Sequence, residues 1–373
     1  MEKEAATMTE NTTIKTLEVR RDKWSRTRVV EAPLPVDLGE NEVLIRVDKF
    51  AITANNISYA GAGDLLGYWG FFPAEEGWGR IPAMGWGDVI ASAHPNIQVG
   101  ERVWGFFPFS THLKIIAGND KADQFQDVSA HRAEYAPIYA RFDRASANPI
   151  YDIPREDQDS LLRGLFMTSW LVEDFMHMNA SFAADTCLIT SASSKTSIAL
   201  AHCVKKRREM TAVGLTSPGN VAFCESLGYY DRVLTYDAVS TLDASQPAVI
   251  VDMAGSAAVL SDVHHHYGDN MKHSCQIGAT HYEEMGAVDN LPGATPAFFF
   301  APSHIQTRSA DLGASQLMMN MGTEYVEFRA ASDRWLTLDH SYGEAAVEQT
   351  YQAVLAGKSE AKSGQIVSMW PAR

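Results

Sequence analysis

Cys187-Leu188-Ile189-Thr190-Ser191-Ala192-Ser193-Ser194-Lys195-Thr196-Ser197 is the stretch on which the fold turns. Its first four residues read as a short apolar strand. Ser197 to Arg208 reads as a helix, so the middle must be a tight turn between them. Serines stand at three-residue intervals in it: Ser191, Ser194 and Ser197. They are small enough for a close turn, and a hydroxyl can donate to a phosphate. Free N–H groups at a helix start attract an anion. Lys195 adds a full positive charge. The turn therefore offers Ser193, Ser194, Lys195 and Thr196 to a phosphate. An ordinary capped turn would use the same residues, since serine is a good N-cap.

The surroundings favour the phosphate. Strand-like and helix-like stretches alternate after the turn: Thr211 to Leu215, Asn220 to Leu227 ending at Gly228, Arg232 to Thr235, Ala248 to Asp252, His273 to Ile277, and Phe298 to Phe300. Such alternation means βαβ units in a doubly wound parallel sheet of the Rossmann type. In dinucleotide-binding sheets the first turn carries glycines, and an acidic residue about 20 positions on bonds the ribose. Here the second strand ends in Gly214-Leu215-Thr216-Ser217-Pro218-Gly219-Asn220, with no carboxylate. Ser217 and Asn220 would accept a 2′-phosphate without repulsion, which favours NADPH over NADH. A plain Pro-Gly-Asn turn stays open beside that reading. Arg207, Arg208 and Arg232 are candidate partners for the phosphate. Ala254, after the fourth strand, and Gly278 and Ala279, after the fifth, fall where a cofactor would lie. Thr280 and His281 are polar groups at the same place, and Tyr68 joins the candidate proton donors.

Outside this unit the style differs. Residues 1–150 and 331–373 are strand-rich, with short strands punctuated by glycine and proline, and read as one barrel interrupted by the α/β unit of residues 151–330. Asp157 to Met178 reads as a helix opening that unit. Ala60 to Trp86 is rich in Gly, Trp, Phe and Tyr and reads as a loop covering an apolar or aromatic substrate; simple barrel packing would use the same residues. A strand at Trp335 to Leu338, a helix from Glu344 to Ala356 and a strand at Gln365 to Met369 close the chain.

Composition narrows the function classes. The 373 residues carry 46 acidic against 31 basic side chains, a net charge of −15, which argues against a nucleic-acid partner. No apolar run reaches the roughly 18 residues of a membrane span. Met1 to Thr13 is polar and acidic, without the features of a signal peptide, and reads as a frayed tail in a cytoplasmic protein. The four cysteines stand far apart and read as buried free thiols. His264-His265-His266 points three ways on a helix, so a solvated helix end is expected there and no metal.

Taken together, the chain resembles the medium-chain dehydrogenase/reductase superfamily, in particular its zinc-free quinone oxidoreductase and enoyl reductase branch. Glu40 to Val47 is similar to the opening barrel strand of that family, Val99-Gly100-Glu101-Arg102-Val103 to its turn, Gly164 to Trp170 to the helix before its cofactor unit, and His340 through Val367 to its C-terminal return. The resemblance implies a discontinuous GroES-like barrel, bound NADPH, a small-molecule substrate and a homodimer. Where zinc-dependent members carry Cys and Gly-His-Glu, this chain has Thr53-Ala54-Asn55-Asn56 and Met84-Gly85-Trp86-Gly87, so metal-free chemistry is implied. Asn56 falls where the family has a polar residue near the nicotinamide. With Tyr59 and Thr280 it completes the candidate catalytic set. The expected reaction is hydride transfer to a carbonyl or activated double bond, followed by protonation. Two other readings stay open: a non-enzymatic NADPH-binding sensor or structural protein, and a lyase or isomerase that retains its cofactor.

Overall fold

The computed structural model describes residues 13–64, 67–277 and 290–372. The tail at residues 1–12 lies outside them. Strands β1 (Thr13–Arg20) and β2 (Lys23–Pro33) form an antiparallel hairpin. β3 (Glu42–Ile52) leads into α1 (Ala54–Gly61), and the short β4 (Trp78–Gly79) returns to pair with β1. β5 (Pro82–Ser92), β6 (Arg102–Pro108), β7 (His112–Gly118), β8 (Gln124–Asp127) and β9 (Arg141–Arg144) follow. Their order is β3-β5-β6-β9-β8-β7, and β7 pairs back onto β3, closing a six-stranded antiparallel barrel. Closure leaves no open edge among these six strands. Phe50, Phe107, Phe125 and Phe142 fill the interior.

The aromatic stretch expected to cover a substrate is mostly core. Trp69, Phe71, Phe72 and Trp86 are buried. Rings of this size each bury about 150–250 Å², and the chain yields room for them: a Cβ on Gly63 or Gly79 would fall 2.2 or 2.3 Å from the Trp69 ring. Barrel packing therefore explains the glycines.

A continuous helical run joins barrel to sheet. It comprises α2 (Glu156–Gln158), one π-helical turn over Asp159–Arg163, and α3 (Gly164–Met178). The π turn is anchored at Asp159, whose buried carboxylate accepts from Arg329 at 2.8 Å and from the Tyr325 hydroxyl at 2.7 Å. Then come β10 (Thr186–Ile189), α4 (Lys195–Arg207), β11 (Thr211–Thr216), α5 (Val221–Ser226), β12 (Arg232–Thr235), β13 (Ala248–Asp252), α6 (Ala257–Tyr267), β14 (Met271–Gln276) and β15 (Ala297–Phe298). All six strands are parallel, in the order β12-β11-β10-β13-β14-β15. That is the doubly wound Rossmann arrangement, with its order reversing between β10 and β13. Gly228 ends α5's turn at φ +70°, as a C-cap glycine does.

α7 (Ala301–Leu312) and α8 (Ala314–Ser332) pack on the sheet side. β16 (Thr337–Tyr342), α9 (Glu344–Leu355) and β17 (Ser363–Ser368) return to the barrel, where β17 pairs antiparallel with β3. The strand expected from Trp335 starts at Thr337, because Trp335 and Leu336 are drawn into the sheet-side core. The histidine triplet also differs from expectation. His264 is fully buried, held at 2.9 Å by both the Pro292 carbonyl and the Ser274 hydroxyl, so this helix end packs against β14. All four cysteines are free and buried.

Candidate active site

Where the barrel meets the helical run, the side chains leave a cavity with about 1030 Å³ of non-atom space, part of it open to solvent. The start of α1, strands β5, β6 and β9, the π turn, α3, α7 and α8 all contribute to its wall. One wall is aromatic. Tyr59 stands edge-on to Tyr68 and Phe106, with ring centroids 5.1 and 5.5 Å apart, and Tyr139 lies 5.5 Å from Phe106. Another part of the wall is charged. Asp143 accepts from Arg163 at 2.5 Å through one oxygen and from Arg141 through the other. The Arg163 guanidinium lies 4.1 Å over the Trp104 ring.

Of the expected catalytic residues, Asn56 and Tyr59 line this cavity. Asn56 is nonetheless committed to structure. Its oxygen accepts from the Thr53 N–H at 2.6 Å in a capping box that starts α1, and its amide donates to the Pro82 carbonyl at 2.7 Å. Asn55, one residue earlier, lines the same cavity. Burial pushes the Tyr59 hydroxyl well above the usual phenol range, so it stays protonated. Tyr68 stands edge-on to Tyr139 and is raised by burial in the same way. Thr280, with Gly278, Ala279 and His281, lies outside the described residues.

The serine turn is a separate place, and none of its residues lines the cavity. Ser191 adopts φ +50° and donates its N–H to the Tyr236 hydroxyl at 3.1 Å. Ser194 caps α4, accepting from the Ser197 N–H at 3.2 Å, and Ser197 donates to the Thr190 carbonyl at 2.8 Å. These two serines thus do the ordinary work of a capped turn. The backbone N–H groups of Ser193, Lys195 and Thr196 have no hydrogen-bond partner among the described residues. Lys195 is turned aside: its ammonium donates to the Ala361 carbonyl at 3.2 Å, and burial lowers its pKa to about 8. It therefore faces the segment before β17, not the turn.

Ser217 is exposed at the end of β11, with Asn220 donating to its hydroxyl at 3.1 Å. A Cβ on the neighbouring Gly219 would meet nothing within 4 Å, so the space is open. Arg207 is engaged by Glu173 and Arg232 by Thr241, and neither bond reaches Ser217. Ala254 is buried, its N–H shared between the Thr190 hydroxyl at 3.0 Å and Asp252 at 3.1 Å. Among the described residues no group of three or more His, Cys, Asp or Glu could hold a metal ion.

A family whose description reads "Protein of unknown function (DUF2855)" matches residues 50–360. The chain belongs to that family. No curated protein matches the DUF2855 chain in sequence. Solved structures match its fold. It is similar to a Mesorhizobium loti protein provisionally described as an NADPH:quinone reductase, at TM-score 0.65 and 13% identity over 96% of this chain and 99% of that one. It is also similar to CurA from Vibrio vulnificus, solved with NADPH, at TM-score 0.63 and 10% identity over 96% and 100%. A mutant enoyl thioester reductase from Candida tropicalis matches at TM-score 0.57 and 14% identity over 95% and 99%. The DUF2855 chain thus has the fold of the medium-chain dehydrogenases/reductases. Within the described residues, no helix is long and apolar enough to cross a membrane.

Sequence reasoning missed Trp104, Tyr139, Arg141, Asp143 and Arg163. Only Arg163 left a signal, as a charge set beside the apolar Leu161-Leu162 in a helical stretch.

Proposed function

We propose that this DUF2855 protein is an NADPH-dependent reductase of a carbonyl or activated double bond that works without a metal. The observation supporting this most is the serine turn: three backbone N–H groups without partners, at a helix start, at the end of the sheet's first strand. That corner fits a pyrophosphate through its backbone and its small side chains. Ser193 and Thr196 would hold it, while Lys195 would join only by leaving Ala361. Ser217 and Asn220, in open space and neutral, fit a 2′-phosphate. Ala254 fits only as a surface for the cofactor to lie against, since its N–H is committed. NADPH, when bound, supplies the hydride. Tyr59, kept protonated by burial, is the proton donor on the cavity side. Asn56 positions α1 and so acts through Tyr59.

The saturated Asn56 amide favours a second reading, a nucleotide-binding protein without turnover. Melting with NADPH and with NADH tests the first step. A ligand at 100 times its Kd stabilises by about 2.7 kcal/mol, so the expected outcome is a clear rise with NADPH and little with NADH. No rise with either contradicts both readings. NADPH oxidation against enones, quinones and aldehydes then separates reductase from binder.

A further inference from the structure

The charged end of the cavity brings two guanidiniums onto one buried carboxylate. Asp143 is shared between Arg141 and Arg163, and Arg141's other acidic neighbour is the exposed Asp123, 3.7 Å away. Among the described residues, Asp143 is the carboxylate that forms an ion pair with Arg163. Its Nη1 is buried, with no hydrogen-bond partner among the described residues. The Arg163 guanidinium lies flat on Trp104, and the residue lines the cavity and keeps 14% of its side chain exposed. The backbone feature that presents it is uncommon. A π turn adds a residue to the helix and shifts the faces that follow, and such turns gather at functional sites. Here it spans Asp159–Arg163 and is pinned by the buried Asp159–Arg329 pair. A protein of net charge −15 repels anions at long range, so two guanidiniums on one carboxylate, in a cavity whose wall is largely apolar and aromatic, have a local use.

We propose that Arg163, with Arg141 beside it, binds a carboxylate, and that the substrate is a small aromatic or unsaturated acid whose apolar body lies against Tyr59, Phe106 and Tyr139. The word substrate rests on the reductase reading, but the binding needs no cofactor. The test is calorimetric titration of the full chain, without NADPH, using cinnamate and its methyl ester. The acid is expected to bind about tenfold more tightly than the ester, as a charge-assisted bidentate contact allows. Arg163→Met should remove that preference through loss of acid affinity alone, and Arg163→Lys should keep part of it. Unchanged ester affinity in Arg163→Met reports an intact cavity. Equal affinity of acid and ester for the natural chain, binding of neither, or a preference that survives Arg163→Met would each overturn the proposal. Failure of the NADPH reading shows separately, as an absent melting shift with the cofactor.

Discussion

The turn from Ser191 to Ser197 takes every group it offers from one unbroken stretch of chain, a strand end and a helix start. The charged end of the cavity takes Trp104 from β6, Arg141 and Asp143 from β9, and Arg163 from a π turn whose anchor, Arg329, sits on α8. One site is local, and its geometry follows from helix-start chemistry. The other exists only after barrel, helical run and α8 have packed. Damage should therefore spread differently from the two.

The largest effect is expected at the anchor. Arg329→Met leaves the Asp159 carboxylate buried and without its cation, which should cost about 3–5 kcal/mol in denaturant unfolding. It should also weaken acid binding in the cavity while any NADPH melting shift persists. A loss under about 1 kcal/mol would mean that the π turn does not depend on this pair. Next in size, Tyr59→Phe should lower turnover about 100-fold with NADPH affinity unchanged, the signature of a lost proton donor. Equal turnover would move that role elsewhere. Ser193→Glu places a negative charge at the corner and should weaken NADPH about tenfold without touching the cavity. If acid binding fell as well, the two sites would not be separate.

The smallest effect concerns Lys195. Its pKa, about 8 when folded against an ordinary 10.5, means that the unfolded chain holds the proton more tightly. Stability therefore rises with pH between those two values and is lower beneath them. Lys195→Met should flatten that rise in pH-dependent melting and leave NADPH affinity within about threefold, since the ammonium faces Ala361. A large loss of affinity would place the phosphate on the lysine after all.

How much could be read beforehand follows the same division. Strand β10, the turn and α4 were legible because apolar periodicity and capping chemistry act within ten residues. That the sheet is parallel and doubly wound followed from alternation, while its strand order is visible only in the fold. The barrel was legible as a style, but its aromatic segment left substrate cover and barrel packing both open, because only folding shows that Gly63 and Gly79 make room for Trp69. Asn56 was found by position, yet its amide's commitment to Thr53 and Pro82 depends on a strand 26 residues away. Arg141, Asp143 and Arg163 could not be grouped from spacing, since the π turn that presents Arg163 reads in sequence as ordinary helix.

The central claim is that cofactor phosphates rest on the backbone at the start of α4. Hydrogen exchange of the full chain with and without saturating NADPH addresses it directly. Slowed exchange in the peptide covering Ser191 to Ser197, together with the one covering Ser217 to Asn220, is the expected result. Unchanged exchange there, or protection confined to the cavity wall, would contradict it.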